Sequence, residues 1–94
     1  MAVARVVTFD GVSKDRMDEM NREMSEGDPP EGFPQAEVIA LHDAGAEKSL
    51  VVLIFETDDD YQTADEMLNA MPAGETPGKR TYVTRYDVAH RMKS

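Results

Sequence analysis

The chain has no cysteine and no tryptophan, and only 6% of it is aromatic. Without cysteine there can be no disulfide, thiolate metal site or cysteine nucleophile. Long apolar runs are also missing. The longest uninterrupted one, Leu50-Val51-Val52-Leu53-Ile54-Phe55, is far too short to span a bilayer. The opening residues Met1-Ala2-Val3-Ala4-Arg5-Val6-Val7 break their apolar stretch at Arg5 and soon reach Asp10, unlike the apolar core of a secretory leader. A cytoplasmic location without membrane association is the resulting expectation. Positive charge is scarce too: ten Lys and Arg stand against nineteen Asp and Glu, for a net charge of -9. Such a balance argues against nucleic acid, whose phosphates need a basic footprint.

The charge that is present is unevenly placed. From Lys79 onward, five basic residues (Lys79, Arg80, Arg85, Arg91, Lys93) face one acid, Asp87. The remainder of the chain holds five basic residues and eighteen acids. A basic last segment on an acidic body suits an edge that meets an acidic surface, either a second copy or a small anionic ligand.

Hydrophobic periodicity gives the order strand, helix, strand, strand, helix, strand. Residues 3–9 are rich in β-branched and aromatic types and read as a strand. Asp10-Gly11 turns the chain, and Ser13 is placed to cap a helix running to about Glu26, with Met17, Met20 and Met24 at helical spacing. The breaker-rich segment Gly27-Asp28-Pro29-Pro30-Glu31-Gly32-Phe33-Pro34 ends that helix. A second strand over about 36–42 leads through Asp43-Ala44-Gly45-Ala46-Glu47 into the all-apolar third strand. Thr57-Asp58-Asp59-Asp60 opens a second helix, its carboxylates set at the positive end of the helix dipole. Tyr61, Ala64, Met67, Leu68 and Met71 form the apolar stripe of that helix, and Pro72 marks its end. After a proline–glycine loop over 73–78, a last strand over about 80–90 sets Tyr82, Thr84, Tyr86, Val88 and His90 on one face.

Two strand–helix–strand halves joined in this order predict a single α+β domain over residues 1–94. Its fold would be ferredoxin-like, a βαββαβ chain with a four-stranded antiparallel sheet and strands one and three central. In strand three, three apolar residues point to each side of the sheet. Two helices can cover only one of those sides. The other side predicts a homodimer in which two sheets press together, a common remedy for a small core.

On these residues the chain resembles the dimeric α+β-barrel proteins related to antibiotic-biosynthesis monooxygenases, closest to their short, uncharacterised bacterial members. The likeness rests on element order and length, and on three segments. These are Ala4-Arg5-Val6-Val7-Thr8-Phe9, Pro30-Glu31-Gly32-Phe33-Pro34, and Pro77-Gly78-Lys79-Arg80 with Val83, Tyr86, Asp87 and Val88. The resemblance implies a homodimer, no cofactor and oxygenation of a small aromatic or enolisable substrate; the alternative is a non-catalytic ligand-binding or assembly module of the same fold. Its quinone-forming and haem-cleaving branches use asparagine and tryptophan in the pocket. This chain offers only Asn21 and Asn69 and no histidine on either helix, so the haem-cleaving reading fits poorly.

Candidate chemical residues follow from type and position. His42, beside Asp43, is a candidate general base, and Tyr86 a candidate proton donor to an oxyanion. Arg5 on a central strand is a candidate anion holder or buried ion-pair member. Tyr82, Met17, Met20 and Met67 complete an expected lining between helices and sheet, suited to a flat apolar ligand such as a phenol or quinone. Each has a plain structural reading alongside: histidines bonded at strand ends, tyrosines as interface material, methionines as core filler. Neither His42 nor His90 has a carboxylate at ligand spacing, so no metal site is expected. Asp58-Asp59-Asp60 lacks the glycine and terminal glutamate of a calcium loop, and helix capping explains it.

Overall fold

The computed structural model describes residues 2–27, 31–70 and 78–92. Its elements run β1 (Val3–Asp10), α1 (Lys14–Glu26), β2 (Glu37–Asp43), β3 (Lys48–Phe55), α2 (Asp58–Asn69) and β4 (Lys79–Asp87). The four strands form one antiparallel sheet in the order β2-β3-β1-β4. The fold is therefore the expected ferredoxin-like α+β arrangement, with the first and third strands central.

Local chemistry explains where the helices begin. The Ser13 hydroxyl accepts a hydrogen bond from the Arg16 amide at 3.2 Å, and the Thr57 hydroxyl accepts one from the Asp60 amide at 3.1 Å. Each satisfies an amide that the helix cannot pair internally. Between β1 and α1, Gly11 takes a positive φ of 72°, which a side chain would strain. At the start of β4 a Cβ on Gly78 would lie 2.4 Å from the carbonyl oxygen of Asp10, so only glycine fits beside the end of β1.

Both helices lie on one side of the sheet. Val3, Leu53 and Phe55 pack with Tyr61 and Ala64 of α2, while Val7 and Phe9 pack with Val12 and Met17 of α1. Phe55 is the centre of the first group, with Phe33 at 6.4 Å and Tyr61 edge-on at 6.1 Å between ring centroids. Burial on this side is nearly complete along β1 and β3, with Val7 2% and Phe55 0% exposed, and falls off at the edge strands, where Val38 is 46% exposed. Neither helix covers the other side of the sheet, where Leu41 is 54% and Tyr82 73% exposed. Among the described residues no helix is long and apolar enough to cross a membrane.

The last strand is shorter than its alternation predicts, because it leaves the sheet after Asp87. Val88 donates its amide to the Ala2 carbonyl, and Arg91 reaches Glu37 and Glu56 at the far side of the sheet. Pairing thus gives way to a crossing segment tied down by ion pairs, and His90 lies outside the strand. Its alternation is also interrupted once. Thr8 pairs with Tyr82 but Phe9 pairs with Arg80, so Thr81 is an extra residue in a β-bulge. Met71, Pro72, the loop over 73–77, residues 28–30 and Lys93 lie outside the described residues.

Candidate functional site

Strand register divides the candidate residues between two faces. Arg5 pairs with Leu53 and Arg85, and its side chain turns toward α2. Tyr82 pairs with Thr8 and Tyr86 with Ala4, positions of opposite parity to Arg5. The tyrosines therefore stand on the uncovered face, and Arg5, Met17 and His42 on the helix side. A single lining that joins the methionines and Arg5 to the strand-four tyrosines is not assembled, because the sheet lies between them.

On the helix side the polar groups are already engaged. Arg5 is 3% exposed; it donates from Nε to Asp65 Oδ1 at 2.8 Å and from Nη2 to Asn69 Oδ1 at 3.1 Å. Arg80 donates to the same Asn69 oxygen at 2.9 Å. Of the two readings for Arg5, the geometry is that of a buried ion pair fastening α2 to β1. Arg85 pairs with Asp58 at 2.9 Å and Asp87 at 3.1 Å, and its guanidinium lies 5.8 Å from the centre of the Tyr61 ring. The hydrogen bond to Asp58 holds the Arg85 guanidinium above its usual pKa. Burial, then the neighbouring Asp65 carboxylate, raises the Tyr61 phenol above its usual value, so it stays protonated.

His42 donates from Nε2 to the Val12 carbonyl oxygen at 2.8 Å, which ties the end of β2 to the turn before α1. Proton abstraction by this nitrogen would need that bond broken. Of the methionines, Met17 is buried, Met20 and Met67 are half-buried, and Met24 is 49% exposed. Asn21 is exposed on α1, with its backbone carbonyl accepting from Ser25.

The cavity lies on the other side. A groove of about 550 Å³ is lined by Thr8, Leu41, Leu50, Thr81 and Tyr82, with Asp10, Asp43, Lys48 and His42 also in its lining. Its size is that of a small-molecule site. Thr8 and Thr81 join their hydroxyls at 2.5 Å, and Thr81 also donates to the Thr8 carbonyl. Sequence reasoning marked Tyr82 and His42 but missed the rest of this groove. Alternation places the even-numbered positions of β1 on one face, but the bulge at Thr81 that aligns Tyr82 with Thr8 shows only in the strand pairing.

No family model matches the chain, and neither a curated protein nor a solved structure gives a match.

Proposed function

We propose that this protein is a cytoplasmic homodimer of the dimeric α+β-barrel type, resembling the antibiotic-biosynthesis monooxygenases in architecture and serving as a binding or assembly module rather than as an oxygenase. One observation carries this reading. The sheet face left bare by the helices is apolar across its centre, where Ile39, Val52 and Val6 stand in one row and Leu41 and Leu50 in the next. In a chain that is 31% charged, such a panel is selected against unless something covers it. A second copy supplies an equal apolar panel and keeps both acidic bodies in water.

The groove then becomes a space between subunits, suited to a small apolar or aromatic ligand. Chemistry is disfavoured because Arg5 is committed to Asp65 on the far side of the sheet from the strand-four tyrosines, and His42 is held by Val12 with no carboxylate or second reacting group among the described residues bonded to it. Sedimentation equilibrium tests the assembly, with a dimer expected at micromolar concentration and a monomer counting against it. Oxygen uptake with a panel of naphthols and an anthrone tests the chemistry. Uptake that is lost in His42→Ala would replace the module reading with the enzyme reading.

A further inference from the structure

At the groove end of the uncovered face, four charged residues stand side by side across the sheet. Asp43 of β2 pairs with Lys48 of β3, Lys48 with Asp10 of β1, and Asp10 with Lys79 of β4. The row therefore reads minus, plus, minus, plus. Among the described residues none of the four takes part in an ion pair. At the opposite end the corresponding row is Glu37, Ile54, Ala4 and Tyr86, with Glu37 engaged by Arg91. One end of the face thus carries an unpaired alternating row, and the other does not.

An alternating row of even length has a symmetry consequence. Turned over about an axis along the strands, it is superposed on itself with every sign reversed. We propose that the sheets of two copies pack with their two-fold axis along the strands, so that Asp43 of each copy meets Lys79 of the other and Lys48 meets Asp10. This inference rests on the homodimer reading and specifies its geometry. Face-to-face sheets pack about 10 Å apart with their strands nearly aligned, a gap that a lysine and an aspartate together span.

The rival axis, in the interface but across the strands, would stack β2 on β2. It would bring the Asp43 end of one copy over the Glu37 end of the other, acid against acid. The apolar rows favour the same choice. With the axis along the strands, Leu41 faces Tyr82 of the second copy and Ile54 faces Ala4, so that bulky aliphatic positions on β2 and β3 meet the hydroxyl-bearing or small positions on β1 and β4. Each interface is isologous, so every such contact occurs twice.

The experiment uses two full-length charge-reversed chains, Asp43→Lys and Lys79→Asp. Each alone sets like charges against each other twice in its homodimer, and its dissociation constant should rise about tenfold or more. Mixed in equal amounts, the two chains restore both contacts, one with its original sign and one with the sign inverted. Native mass spectrometry, with a mass tag on one chain, should then show the heterodimer in large excess over either homodimer. Circular dichroism of each chain, expected to match the wild type, guards against misfolding. A dimeric wild type whose variants gain nothing on mixing overturns the axis while leaving the homodimer intact. A monomeric wild type removes the homodimer reading and this inference with it.

Discussion

The two faces of one sheet obey different rules in this protein. On the helix side the residues of the two central strands are nearly all buried, and the buried charge among them, Arg5, is matched by Asp65. On the other side the residues are equally apolar at the centre, yet Ile39 and Leu41 stay 40% and 54% exposed. The covered face is finished within one chain, while the bare face carries the composition of a core without its cover. Burial in this domain is therefore divided between folding and assembly. Substitutions on the two faces should separate these contributions, with concentration dependence as the diagnostic.

The largest effect is expected on the covered face. Phe55→Ala removes a fully buried ring that touches Phe33 and Tyr61, and should cost about 3–5 kcal/mol. For a small domain this approaches the whole stability. Chemical denaturation should show the midpoint collapse to a similar extent at every protein concentration.

Next comes the ion pair beneath α2. Asp65→Ala would leave the Arg5 guanidinium, 3% exposed, with only the Asn69 amide oxygen as a partner. Loss of one member of a buried pair costs about 3–5 kcal/mol. The lower end applies, because the Asp65 side chain is 30% exposed and already screened by water. Arg5→Met with Asp65→Leu should recover much of that loss, since an apolar pair asks for no solvation. Urea titration of the single and double variants provides the check.

Fold and site differed in how much of them could be read from the sequence. Element order, the Ser13 cap of α1 and the central placement of β1 and β3 were legible, because each depends on local pattern or on one period. Ser13, Asp10-Gly11 and the run from Leu50 to Phe55 suffice for them. The cap of α2 is Thr57, one residue before the Asp58 start that the carboxylates suggest. The end of β4 was not legible. Val88-Ala89-His90 continues the alternation, and only the ion pairs of Arg91 with Glu37 and Glu56 show the chain leaving the sheet. The site was harder still. Tyr82 and Arg5 are both plausible ligand groups by type, but which face each occupies depends on the register between β1 and β4, a long-range property that no local pattern encodes.

On the bare face the expected loss is of assembly more than of fold. Val52→Asp puts a carboxylate at the middle of the panel, in the row shared with Ile39 and Val6. In an isolated subunit that side chain keeps access to water, since Val52 is only half-buried. In the dimer it would be desolvated without a partner. The dissociation constant should rise about a hundredfold, or roughly 2.7 kcal/mol at about 1.4 kcal/mol per tenfold change. Circular dichroism of the dilute variant should stay close to that of the wild type. Unfolding of the variant at all concentrations would mean that the two faces are not separable.

The smallest effect concerns the helices that cover the finished face, and it distinguishes between them. Helix α1 buries only Met17, whereas α2 buries Tyr61 and Ala64 and is also tied to the sheet through Asp65, Asn69 and Asp58. Removal of an N-cap hydroxyl costs about 0.5–2 kcal/mol in either helix. In α2 the tertiary bonds hold the first turn in place, so Thr57→Ala should lower global stability without localised opening. In α1 one buried methionine leaves the first turn dependent on its cap, so Ser13→Ala should act locally. Hydrogen exchange should report faster exchange confined to amides of residues 14–17, with the sheet unaffected. Equal acceleration in β1 and β3 would show that α1 and the sheet open as one unit, and the covered face would then be a single cooperative block.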